Sequence, residues 1–150
     1  MLIPLDVSGW LMALFGGLFS GAIFIVAVER VHLWRRMPTE QYVVDFRRSL
    51  YRLDPLVPIL GVLSAVAAVF FALGSEGRPA MLAWIGVALI SLVMVASVTL
   101  AEPMNSKFRR LPEGQIPEGV ERTRINWRRF HIARTVVALA ALACLTAAVA

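Results

Sequence analysis

The sequence predicts an all-α membrane protein: one domain over residues 1–150, a four-transmembrane-helix bundle with both termini on the non-cytoplasmic side. Three observations carry that expectation. The chain is 59% hydrophobic and only 17% charged, where a soluble domain is about 45–50% apolar and about a quarter charged. Charge is nearly absent from residues 7–28, 56–74, 79–101 and 135–150. Of the 15 Lys and Arg, six fall in 30–52 and eight in 107–134, leaving only Arg78 elsewhere.

Crossing about 30 Å of hydrocarbon takes roughly 20 mainly apolar residues. The first three stretches meet that length, and the fourth reaches it with His131–Arg134 as its entry turn. Lipid offers no partner for backbone polar groups, so each span must be helical. The unbroken apolar runs lack the period-two pattern of strands. Helices are therefore expected over roughly 8–30, 55–74, 79–102 and 127–149.

The first helix follows Pro4, with Asp6 or Ser8 as its expected cap. It lacks the basic leader of a signal peptide, so it reads as a retained span. Its Gly17-x-x-x-Gly21 motif is a small-residue face expected to pack within the bundle. Asp54-Pro55 opens the second helix, residues 74–79 turn into the third, and Pro103 marks the end of the third. Residues 31–54 and 106–126 read as polar connections.

Four spans put both connections on the same side. Fourteen of the 15 basic residues lie there, which makes that side cytoplasmic by the positive-inside rule. The expected setting is a bacterial inner membrane. The arginines read as topology signals with an affinity for anionic lipid, not as a nucleic-acid surface. The single cysteine, Cys144, excludes an intrachain disulfide and a multi-cysteine metal site.

Ionisable and polar residues gather where three helices reach the cytoplasmic side. Glu29, Arg30 and His32 end the first; Thr99, Glu102 and Asn105 end the third; Trp127, His131 and Arg134 open the fourth. Such groups beside hydrocarbon usually face a wet cavity or a helix partner. Offsets of four and three place Trp127, His131 and Arg134 on one helical face. A structural Arg134–Glu29 pair would use the same residues.

The motifs resemble the anthrone-oxygenase-like family of small four-helix membrane proteins. The residues that carry the resemblance are Gly17-Leu18-Phe19-Ser20-Gly21 with Glu29, then Thr99 with Pro103-Met104-Asn105, then Trp127-Arg128-Arg129-Phe130-His131-Ile132-Ala133-Arg134. The resemblance implies oxidation of an activated aromatic carbon by dioxygen without metal or organic cofactor. Its expected partners are membrane lipid, a flat hydrophobic molecule and dioxygen, with no nucleic acid. On that chemistry His131 is the expected base, Glu29 orients it, and Arg134 and Asn105 hold the oxyanion. Trp127 stacks on the substrate and Thr99 assists Asn105. Two other classes stay open: a non-catalytic scaffold or subunit, and a single transition metal held by Glu29, His32, Glu102 and His131. A haem between His32 and His131 is a further metal variant.

Overall fold

The computed structural model describes residues 4–150. Its element order is α1 (Leu5–Ile25), a π turn (Val26–Arg30), α2 (Val31–Arg36), α3 (Thr39–Leu53), α4 (Leu56–Gly74), α5 (Gly77–Ala96), a second π turn (Ser97–Ala101), α6 (Glu102–Arg109) and α7 (Val120–Val149). Four helical stretches are long and apolar enough to cross a membrane: Leu5–Arg36, Thr39–Gly74 (with a turn at Asp54-Pro55), Gly77–Arg109 and Val120–Val149. Each begins or ends beyond its expected bound, because polar residues at one end continue as helix.

The apolar helices pack in the cyclic order α1, α4, α5, α7. Small residues set the close approaches. Leu145 is fully buried and fills notches left by two glycines: a Cβ on Gly86 would lie 2.8 Å from its Cγ, and one on Gly16 would lie 3.1 Å from its Cδ1. Ala138, Ala141 and Ala148 continue that buried face of α7. Two serines add polar ties: Ser64 Oγ donates to the Met12 carbonyl at 3.0 Å, and Ser20 Oγ to the Ala138 carbonyl at 2.9 Å. In an apolar medium such bonds and close packing replace the hydrophobic drive between helices. The outward faces carry Ile59, Val62, Leu73, Leu92 and Val95, all exposed, as lipid-facing surfaces do.

The Gly17-x-x-x-Gly21 expectation is corrected. A Cβ on either glycine would meet nothing within 4 Å; the packed small residues are Gly16 and Ser20, one position earlier. The cap expectation is corrected too. Pro4 precedes the helix, Asp6 lies in its first turn, and Ser8 Oγ donates back to the Leu5 carbonyl at 2.8 Å.

Residues 31–54 are not a loose polar connection. α3 is amphipathic: Tyr42, Val43, Phe46 and Leu50 are buried on one face, while Glu40, Arg48 and Arg52 lie outside it. With α2, α6 and the start of α7 it builds a second core, at the end opposite Leu5, Ser75 and Val149, which share a groove. That core is aromatic. Phe46 meets Trp34, Phe108 and Trp127 with centroids 5.1, 4.6 and 5.1 Å apart, all edge-on, the geometry ring quadrupoles favour. Past Arg109 the chain lines a surface groove with α3 through Leu111, Pro112 and Ile116. Gly119, with φ of 67°, then starts α7.

Gly86→Ala should destabilise the fold by about 1–3 kcal/mol, because Leu145 must shift out of a filled notch. Gly17→Ala should leave stability within about 0.5 kcal/mol. Thermal or denaturant unfolding in detergent compares them; equal effects would refute the packing assignment.

Candidate functional site

A cavity of about 240 Å³ lies where the apolar core meets the aromatic core. Phe19, Ile23, Val57 and Met94 form apolar walls, and its polar lining includes Asp54, Glu102, Asn105, Arg109, His131 and Arg134, with Ser49 and Ser97.

The innermost pair is on α7. Arg134 Nε and Nη2 lie 3.1 and 2.8 Å from His131 Nδ1. A guanidinium cannot accept a hydrogen bond, so Nδ1 is the acceptor and the imidazole proton sits on Nε2. Nε2 donates to the Ile23 carbonyl of α1 at 3.1 Å. The ring is therefore neutral, with both nitrogens engaged. Trp127 stacks on it at 4.7 Å with planes 13° apart.

The π turns explain why α1 and α5 can serve this pair. A π turn adds a residue to the helical register, leaving a carbonyl of the preceding turn with spare accepting capacity. Before the first π turn, the Val26 N–H is shared between the Ala22 and Ile23 carbonyls, and Ile23 takes the imidazole. Before the second, the Ser97 N–H is shared between Met94 and Val93. Ser97 Oγ donates to the Val93 carbonyl at 2.7 Å and accepts from Arg134 Nη1 at 3.3 Å.

A second set of polar groups rims the cavity. Asp54 Oδ2 accepts from Arg109 Nη1 at 3.1 Å and from Asn105 Nδ2 at 3.4 Å. Arg109 also pairs with Glu102. Trp127 Nε1 donates to Asn105 Oδ1 at 3.0 Å. This last bond sets the amide: its oxygen faces the indole, so its NH2 faces Asp54 and keeps one N–H for another acceptor.

His131, Arg134, Asn105 and Trp127, all expected from the sequence, meet at this cavity. Glu29 does not. It is exposed and pairs with Arg30 Nε at 3.0 Å; Arg30 in turn pairs with Asp45 at 3.1 Å. The Ile23 carbonyl orients His131 instead, and Asp54 is the carboxylate that bonds Asn105. Thr99 is exposed and bonds the Val95 carbonyl of its own helix at 2.9 Å. Ser97 stands in its place: residues two apart leave nearly opposite sides of a helix, so only one of the two can face Arg134. Trp127 is boxed by His131, Trp34 and Phe46, so it positions Asn105 and closes a wall; it is not an open stacking platform.

The four residues of the metal alternative lie apart. Glu29, His32, Glu102 and His131 do not converge, and no group of three or more His, Cys, Asp or Glu is placed to hold an ion among the described residues. His32 is exposed while His131 is fully buried, so the two do not form a haem pair.

Asp54, Arg109 and Ser97 were not expected at the site. Asp54 carried a signal, an acid at the mouth of an apolar span, but Asp-Pro reads equally as a helix start. Ser97 carried none, since a lone serine in an apolar stretch reads equally as a small packing residue.

Residues 46–144 match the family model described as Anthrone oxygenase. No curated protein and no solved structure matches the chain. The matched segment contains Asp54, Ser97, Asn105, Arg109, Trp127, His131 and Arg134, and excludes Glu29 and Ile23.

Asn105→Leu keeps the side-chain size but removes the acceptor of the buried Trp127 N–H. Unfolding measurements should show a loss of about 1–3 kcal/mol; an unchanged midpoint would mean that bond does not hold the site together.

Proposed function

The chain belongs to the anthrone oxygenase family, and on that premise we propose that it oxidises an enolisable aromatic CH2 to a ketone with dioxygen at the cavity beside Arg134. One observation carries the reading. Arg134 has no carboxylate within 4.0 Å among the described residues; its guanidinium donates to neutral His131 and Ser97 and lies over the uncharged Trp127 and Phe130 rings. A cation so placed in an apolar wall favours an anion arriving beside it. An enolate is such an anion, and the apolar walls suit the rings attached to it. The cavity is below the roughly 300–1,000 Å³ of ordinary ligand pockets, so it holds the reacting edge of a flat molecule whose remainder lies in the mouth.

The proton acceptor assigned here is Asp54, in place of His131. The imidazole lone pair on Nδ1 is covered by Arg134. Asp54 lines the same cavity, and its Oδ1 accepts no hydrogen bond from the described residues. Asp54 takes a proton from the CH2, and the resulting enolate oxygen lies between Arg134 and the free N–H of Asn105. The carbanionic carbon passes one electron to dioxygen, and the radical pair joins as a peroxide anion. Asp54 returns its proton to give a hydroperoxide. Loss of water from that group leaves the ketone, so one dioxygen is consumed per CH2 converted. No step calls for a metal or organic cofactor. His131 acts as a positioning residue that holds Arg134.

The same reading sets the protein in a bacterial inner membrane with the basic end and this cavity cytoplasmic and both termini outside, supported by the distribution of arginine.

Purified protein should consume oxygen with an anthrone substrate and form the quinone. Asp54→Asn should lower the rate by about 100-fold or more, and Arg134→Gln by about 100- to 1,000-fold, whereas Glu29→Gln should stay near the parent rate. Normal oxygen uptake by both cavity variants would overturn the assignment.

A further inference from the structure

A second pocket, of about 170 Å³, lies across Trp34 and Trp127 from the first. We infer that it binds the phosphate of an anionic phospholipid headgroup through Arg35, Arg128 and the Tyr42 hydroxyl.

Charge is the first ground. Arg35, Arg124 and Arg128 line the pocket against one acid, Glu121. That acid is already engaged: Arg124 Nη1 pairs with it at 3.3 Å, and Thr39 Oγ1 donates to it at 2.9 Å. Arg124 is committed further, donating from Nη2 to the Met37 carbonyl at 2.9 Å and lying over the Tyr42 ring at 4.6 Å. Arg35 and Arg128 have no ion-pair partner among the described residues. Two positive charges therefore remain at the pocket.

The second ground is Tyr42. It is only 1% exposed, and its hydroxyl has no hydrogen-bond partner among the described residues. Every fully enclosed side-chain N or O atom there is partnered, so that residual exposure belongs to the hydroxyl, and Tyr42 lines this pocket. A buried phenol otherwise finds a partner. Here an unpaired donor stands beside two free guanidiniums, a donor set that fits a phosphate.

Position decides the source of that phosphate. The pocket lies where the apolar surfaces of the first and last spans give way to basic residues. Ile125 lines it, and Val28 and Ile132 continue outward along those two spans as exposed apolar residues. A phosphate at this level brings acyl chains alongside them. Basic pockets at the ends of spanning helices take anionic headgroups in this way.

The full-length protein in detergent is titrated with phosphatidylglycerol, with phosphatidylcholine of the same acyl chains, and with inorganic phosphate. Lipid retention is read by native mass spectrometry and stability by thermal midpoint. Phosphatidylglycerol should bind about tenfold or more tightly than phosphatidylcholine. The preference should vanish in the double variant Arg35→Gln, Arg128→Gln. Tyr42→Phe, which keeps the ring under Arg124, should weaken phosphatidylglycerol about threefold or more. Equal retention of the two lipids, or a preference that survives the double arginine variant, overturns the proposal. Inorganic phosphate that displaces the lipid and stabilises equally well assigns the pocket to the free anion and overturns the lipid source.

Discussion

The structure turns on satisfying a guanidinium and an imidazole among apolar helices. Transferring an ion out of water costs several kcal/mol even after relaxation, and a polar group left without a partner in such a medium costs a few more. Arg134 and His131 meet that constraint with each other and with two acceptors on other helices: the Ile23 carbonyl and the Ser97 hydroxyl. Both acceptors stand where an α-helix passes into a π turn, one in the first span and one in the third. The two irregularities in otherwise regular helices therefore have a shared reason. They bring local backbone capacity to one pair of side chains on α7.

Satisfaction of the pair stops short of neutralisation. His131 is neutral and Ser97 is a hydroxyl, so the charge on Arg134 remains. The carboxylates nearby are otherwise engaged: Asp54 holds Arg109 and Asn105, Glu102 pairs with Arg109, and Glu29 lies outside the cavity with Arg30. A purely structural ion pair between α7 and another helix would have closed this charge. Its openness is what separates the cavity from a tie between helices.

The aromatic core beyond the apolar helices makes that arrangement rigid. Phe46 and Trp34 on α3 and α2 press edge-on against Trp127, and Trp127 covers His131 and directs Asn105. Trp34 is itself held by Asp45, to which its Nε1 donates at 2.6 Å. The segment that reads as a polar connection is thus a wall and brace of the site. Its amphipathic face was obscured in the sequence because arginines crowd between its buried positions.

Much of this architecture is local information. Four long apolar stretches and the breakers between them determined four helices long and apolar enough to cross a membrane, since hydrocarbon would force each stretch to satisfy its own backbone. Spacing on one helix also determined that Trp127, His131 and Arg134 share a face, the one that lines the cavity. What the sequence could not determine is which residues of other helices meet that face. Ser97 and Thr99 leave opposite sides of one helix, and which side faces Arg134, like whether an acid points inward, depends on packing that spans distant parts of the chain. Glu29 and Asp54 are both acids at the mouths of apolar stretches. Only the tertiary structure decided that Asp54 lines the cavity and Glu29 lies outside it, because that choice rests on helix rotation and on the aromatic brace, neither of which is written in any short segment.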